Sequence, residues 1–400
     1  MLLMNELKTN LIFMGEFTYP HGMAPTKRIE HILKTMRGFP NVTVRVLLQR
    51  QSRKDNKNLT GVHEGTPYET VMGDLLRFKM LAALPMLYYK TILALRRHFQ
   101  PRDKNIIYYY GIVGLDNIVP LYYARLLGYR IIFDIVEDFD IAGSISQSFF
   151  HRVKTLLLTF FSKNIPHLAS GIIVISSHLE RKYSDYILRG IPLLLRPISV
   201  DMSCYQDKSF QKKSQISLFY AGSFGKKDGL PVLLDAFDML AGKYPNINLE
   251  LSGGGDHEAM SYFYKRMNKS PYKDRIKYLG YLVETEYYRI LCRPNIIPCM
   301  TRIDFGFANA GFPFKLGEFL ASGKPVIASL VSDIDRFLVN RHNAMVVKPG
   351  NSEEIVEATE FLLNNPEAAA IIGQRGREVA ASHFDYRVLG DKLYSFLERL

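Results

Sequence analysis

Lys315 and Glu318 stand three residues apart in the stretch FANAGFPFKLGEFLASGKPVIAS, residues 307–329, just after a turn built on Gly311 and Pro313. Residues at that spacing share a helix face, so an ammonium and an acceptor-only carboxylate project side by side. A helix starting near Pro313 also presents unsatisfied N–H groups and a positive dipole end to whatever lies in front. Amides and Lys315 suit a phosphate, and Glu318 suits a sugar hydroxyl. On local physics alone, the pair reads first as a solvated ion pair worth about 0.2–0.5 kcal/mol.

Other stretches carry chemistry of the same kind. Gly253-Gly254-Gly255 in LSGGGD bends the chain after a strand and admits a ligand without Cβ clashes, although it lacks the G-x-G-x-x-G fingerprint. YPHGMAPTKRI puts Gly22 in a strand-to-helix loop and Lys27 and Arg28 in the first helical turn, either as ligand groups or as solvated charges. FDIVEDFDIAG gathers Asp134, Glu137, Asp138 and Asp140 at a strand end, where carboxylates can serve as a base or bind a metal.

Apolar strands alternating with amphipathic helices must position these groups, a pattern that predicts parallel sheets covered on both faces. LIFMGE is the first strand; Ile29, Ile32, Leu33 and Met36 then mark a helix, and VTVRVLLQ closes the unit. NIIYYYG, YRIIFDI, SGIIVIS and PLLLRPIS continue a first domain over residues 1–201. The polar residues 202–215 read as a linker. SLFYAG, NLELSGGG, RIKYLGYL, NIIPCM, KPVIAS and NAMVVKPG supply the strands of a second domain, 216–385. Residues 386–400 form a final helix expected to pack back on the first domain.

A chain of 400 residues suits two domains, and 47% hydrophobic with 22% charged residues excludes a largely disordered chain. Three cysteines, Cys204, Cys292 and Cys299, lack metal-ligand spacing and a disulfide framework, consistent with a reducing compartment. The N-terminal run is unlike a signal peptide, and no window reaches a membrane span. The net charge of +12 favours an anionic partner. Zinc-finger spacing and RRM signatures are absent, which argues against nucleic acid. Residues 73–104, with a break or kink expected at Pro85, and residues 151–164 are apolar and basic; they are candidates for an anionic bilayer surface or for core helices with solvated cations.

YPHGMAPTKRI, ISLFYAGSFGKKDGLPVLLDAF, LELSGGGD, IKYLGYL and the stretch 307–329, in this order along the chain, resemble the GT-B glycosyltransferases of family 4 over nearly the whole chain. The resemblance implies an α/β fold of two Rossmann-like domains with parallel sheets facing a central cleft. The C-terminal domain would hold a nucleotide diphosphate sugar and the N-terminal one a glycan or polyprenyl-linked acceptor. Glu318 matches the second glutamate of the E-x7-E signature, expected at the donor ribose, while Ala310 replaces the first, which helps hold the transferred sugar. Gly222 and Ser223, Gly253 to Gly255, Tyr281 and Leu282 would line the nucleotide pocket. Main-chain groups of Gly311, Phe312, Pro313 and Phe314 would face the diphosphate, with Lys315 beside them. Ser223 and Asp228 occupy the positions where the family carries basic residues; Lys226 and Lys227 would replace them if the loop is reshaped, or remain solvated. The resemblance places the loop of Gly22, Lys27 and Arg28 toward both donor phosphate and acceptor, and within the carboxylate cluster Asp134 and Glu137 are the groups expected to orient the acceptor. Asp138-Phe139-Asp140 spells the D-x-D of metal-dependent glycosyltransferases of a different fold.

The expectation is therefore a metal-independent, retaining glycosyltransferase without cofactor, acting in polysaccharide or glycoconjugate assembly. It would be cytoplasmic, with peripheral contact to the inner face of the cell membrane as a candidate. Ala310, Ser223 and Asp228 keep a catalytically degenerate subunit that binds nucleotide sugar or a partner enzyme open as the alternative. A nucleic-acid-binding protein is the distant one.

Overall fold

The computed structural model describes residues 8–50, 56–73, 80–138, 149–205, 209–225, 228–303 and 311–400. Two compact units divide the chain: Met1–Pro197 with Leu389–Leu400, and Ile198–Val388.

Eight strands form the sheet of the first unit: β1 (Thr9–Gly15), β2 (Val42–Arg50), β3 (Thr60–His63), β4 (Thr66–Met72), β5 (Lys104–Tyr110), β6 (Arg130–Ile135), β7 (Ala169–Val174) and β8 (Leu193–Leu195). They lie in the order β3-β4-β2-β1-β5-β6-β7-β8. Only the β3–β4 pairing is antiparallel. Strand order reverses between β1 and β5, so their carboxyl ends flank a switch point, where open α/β sheets bind ligands. Gly15 closes β1 at φ 127°, and a Cβ there would lie 2.1 Å from the Tyr110 carbonyl oxygen. The helix Ala24–Met36 follows and buries Ile29, Ile32, Leu33 and Met36, the stripe that the spacing predicts.

A helix spans Met80–His98 with Pro85 inside it, so the proline does not end it. Leu87, Ala94 and Leu95, all buried just beyond, supply the packing that holds the run together. The final helix Tyr386–Glu398 contributes Leu393, Phe396 and Leu397 to the same core as β1 and the first helix. Tyr394 stacks on Phe39 at 3.8 Å, and Asn41 donates to its hydroxyl at 2.9 Å.

The second unit is an all-parallel sheet of β9 (Ile216–Ser223), β10 (Ile247–Gly254), β11 (Ile276–Tyr278), β12 (Ile296–Met300), β13 (Ile327–Ser329) and β14 (Met345–Val347). Their order is β11-β10-β9-β12-β13-β14, with the switch point between β9 and β12. The helix Leu230–Lys243 buries Leu230, Leu233, Leu234 and Phe237 against the sheet. Within the polar stretch read as a linker, Tyr205 and Phe210 are buried, and Phe210 belongs to the core of this unit.

Candidate functional site

At the carboxyl edge of the second sheet, the chain leaving β12 returns to form the helix Phe314–Ala321. Pro313 stands before it, and no side chain caps its N-terminus. The Leu316 N–H donates to the Pro313 carbonyl at 3.1 Å, and the N–H groups before it have no partner within the helix. Leu316, Phe319 and Leu320 anchor it in the interior, and Phe319 meets Phe219 of β9 at 6.3 Å. Glu318 is carried inward with them and is 3% exposed.

Its carboxylate is held by two donors on one oxygen. The Tyr287 hydroxyl donates to Oε2 at 2.8 Å, and Lys315 Nζ approaches the same atom at 2.7 Å. Lys315 Nζ also lies 4.0 Å from the centroid of the Tyr287 ring, so the ring face supports the cation. Burial, and then the Glu318 charge, push the Tyr287 phenol well above its usual range, which keeps it a donor at any physiological pH. This is a desolvated, oriented carboxylate and not the solvated ion pair that local spacing also allowed. Tyr287 comes from the helix Glu284–Leu291, and no motif in EYYRI marks it beforehand.

Glycines shape the neighbouring wall. Gly253 sits at φ 118°, and a Cβ there would fall 1.8 Å from the Gly222 carbonyl oxygen, so β9 and β10 approach this closely only without side chains. Gly253 donates its N–H to Gly280 at 2.9 Å, and a Cβ on Gly254 would meet the Tyr281 hydroxyl at 3.0 Å. Gly222, Gly253, Gly254 and Tyr281 are thus assembled around one bend, with Tyr281 exposed and Leu282 half-buried. Past Gly255, Asp256 caps the helix His257–Lys269 through a 2.8 Å bond from Ala259 N–H.

The departures at Ser223 and Asp228 have a physical counterpart at the switch point. Asp228 is buried, accepts from the Ser223 hydroxyl and pairs with the guanidinium of Arg302, which arrives just after β12. A backbone bridge joins Asp228 to Arg302, and Gly229 N–H donates to the Thr301 carbonyl at 3.2 Å. The carboxylate at 228 therefore recruits a cation from another strand. A lone arginine in CMTRID gives no sequence signal of this. Lys226, Lys227 and Ala310 lie outside the described residues. Among the remaining turn residues, the Gly311 carbonyl accepts from Ser332, and Phe312 is buried against Phe337 and Phe384 at 5.8 and 5.7 Å, a core residue in this structure.

In the first unit, Arg28 and Asp134 are joined to each other. Arg28 is 2% and Asp134 0% exposed; Nε donates to Oδ2 at 2.8 Å and Nη2 to Oδ1 at 2.9 Å. Tyr108 adds a 2.7 Å bond to Oδ2, and Arg28 also donates to the Pro197 and Arg196 carbonyls at 2.8 and 3.0 Å. A bidentate pair of this kind orients the residues around it. Glu137 is exposed, Lys27 half-buried, and Gly22 is packed so that a Cβ would lie 1.8 Å from Thr26 Oγ1. Asp138 is held by His178 at 2.8 Å and Lys182 at 2.5 Å, while Phe139 and Asp140 lie outside the described residues.

Residues 204–379 match the family model described as "Glycosyl transferases group 1". An uncharacterized glycosyltransferase of Haemophilus influenzae is 25% identical over 151 residues, 37% of this chain, and the match spans only 40% of that relative's length. Among solved structures, sucrose-phosphate synthase from Thermosynechococcus elongatus superposes with a TM-score of 0.76 at 14% identity, covering 98% of each chain. Anabaena HepE, solved in complex with UDP-glucose, gives a TM-score of 0.71 at 16% identity, covering 98% of this chain and 100% of that one. At such identities the likeness is one of fold.

Proposed function

We propose that this chain, whose residues 204–379 match the glycosyl transferases group 1 and whose two parallel-sheet α/β units have the GT-B fold, transfers a sugar from a nucleoside diphosphate sugar. The observation that carries this reading is the buried Glu318 carboxylate, held by Tyr287 and Lys315 in the first turns of an uncapped helix at the sheet's carboxyl edge. Uncapped amides donate to the diphosphate, whose charge grows as the glycosidic bond breaks; Lys315 stands beside them and Glu318 accepts from ribose hydroxyls. The glycine wall admits the nucleotide, with Tyr281 and Leu282 beside its base. HepE supports a uridine nucleotide as donor by its complexes with UDP and UDP-glucose. Retention of configuration and independence of metal accompany this reading.

The acceptor is a glycan or a polyprenyl-linked sugar received by the first unit, with Lys27 and Glu137 toward it and the Arg28–Asp134 pair positioning the surrounding loops. A membrane-bound acceptor is supported by the helix Met80–His98, which exposes Met86, Tyr89 and Leu93 beside exposed Lys90, Arg96 and Arg97. The helix Phe149–Ser162 exposes Leu156, Leu157 and Phe160. Among the described residues no helix is long and apolar enough to cross a membrane. Contact of this kind would be peripheral, on an anionic surface.

Incubation with a panel of nucleotide sugars, following thermal shift and nucleoside diphosphate release, tests the reading. One donor should stabilise the fold by mass action and be turned over with acceptor or slowly by water. Ala310 in the sequence favours a second reading, a subunit that binds the donor without transferring it. Binding without release in the presence of lipid-linked and glycan acceptors would establish that second reading. No response to any nucleotide sugar would remove both.

A further inference from the structure

A second arginine stands beside the Arg28–Asp134 pair and has no hydrogen-bond partner among the described residues. Arg196 directly follows β8, is 1% exposed, and among the described residues none of Nε, Nη1 and Nη2 finds a hydrogen-bond partner. The ionisable groups whose fields reach it are Arg28, Tyr108 and Asp134. Asp134 does not bond to it: Oδ1 accepts from Arg28, and Oδ2 from Arg28 and Tyr108. Two buried guanidiniums thus lie near one carboxylate that bonds to Arg28 alone of the two. Burial first, and then Arg28, push the Arg196 pKa down to about 10, which still leaves it charged at neutral pH.

A buried guanidinium with five idle donors is costly to keep unless something completes it. Its setting matches that need. Arg28 lies in the first turns of the helix after β1, Tyr108 on β5, Asp134 near the end of β6, and Arg196 just beyond β8. Those positions converge at the carboxyl edge of the first sheet, on the β5 side of its switch point, where α/β units take their ligands. The guanidinium fork fits a tetrahedral oxyanion bidentately, and Arg28 and Asp134, locked together, fix its surroundings before the ligand arrives.

We propose that Arg196 is the receptor of an anion site in the first unit, one that binds a phosphate group. That the phosphate belongs to the acceptor rests on the function proposed above; the site itself stands on the unpaired guanidinium alone. Because Arg196 is closed to solvent in this structure, uptake requires its local cover to open, and binding should be slow compared with diffusion.

The test uses the full chain. Thermal midpoints are followed against sodium phosphate and, separately, glycerol phosphate as a phosphate monoester, each matched by sodium chloride of equal ionic strength, with UDP run in parallel. Wild type should show a saturable rise with phosphate beyond chloride. Arg196→Met should lose that rise, keep the UDP response, and melt higher than wild type in chloride because an uncompensated buried charge has gone. A response to inorganic phosphate alone assigns a free anion; a response to both probes assigns a phosphorylated acceptor. Absence of a wild-type response beyond chloride, its persistence in Arg196→Met, or loss of the UDP response along with it would overturn the proposal. Should Arg196→Met fail to fold, Arg196→Lys decides: a phosphate midpoint concentration raised tenfold or more upholds the site, and an unchanged one overturns it.

Discussion

Glu318 shows how a side chain can be buried and still serve a ligand. Its carboxylate is oriented by Tyr287 and Lys315, and hydrogen bonds to charged groups contribute about 1.5–3 kcal/mol. Glu318→Ala should therefore weaken binding of UDP, or of whichever nucleotide the panel selects, by roughly 10- to 100-fold in calorimetric titration. Unchanged affinity would take Glu318 out of the ribose role. Tyr287→Phe removes one donor and keeps the ring beneath Lys315, so a smaller loss is expected with an intact fold by circular dichroism. Asp134 belongs to the opposite kind of residue, with both oxygens occupied internally. Asp134→Asn leaves two buried guanidiniums without an anion and should cost about 3–5 kcal/mol in denaturant unfolding. A loss under about 1 kcal/mol would mean that the cluster is not held by charge.

The paired ends of β9 and β10 make a prediction about elements. At Gly253, φ of 118° and the approach to the Gly222 carbonyl both exclude a Cβ. Gly253→Ala must part the two strands or strain the backbone, at about 1–3 kcal/mol, and should lower both the thermal midpoint and donor affinity. A midpoint equal to wild type would show that the bend relaxes freely. Most strands were legible because their apolar runs are buried on both faces: LIFMGE, YRIIFDI, SLFYAG and NIIPCM all fall on observed strands. The β3–β4 hairpin was not, because its turn uses Glu64 and Gly65, both at positive φ, in place of the Asn-Gly or Asp-Gly that usually marks such a turn. The carboxyl-edge location of Glu318 could be read from a turn and a helix stripe. Tyr287 and Arg302 could not, because each acts through a partner distant in sequence, and neither could Arg196, because a lone polar residue in an apolar run says nothing about what surrounds it.

At the scale of the whole molecule, a net charge of +12 and the exposed apolar residues on the helices Met80–His98 and Phe149–Ser162 predict binding to vesicles containing anionic lipid. Sedimentation with such vesicles should exceed that with neutral ones, and should fall at about 1 M salt, where the Debye length shrinks to about 3 Å. Equal sedimentation with both vesicle types would remove the membrane from the account. The return of Leu389–Leu400 to the first unit has a consequence for synthesis. Phe396 seals Gly171, where a Cβ would lie 2.9 Å from its ring, and Lys104 Nζ donates to the Leu397 carbonyl at 2.6 Å. On the ribosome, the residues of the first unit up to Pro197 must wait with an open flank while Ile198–Val388 are made. The first half translated is thus the last to be finished.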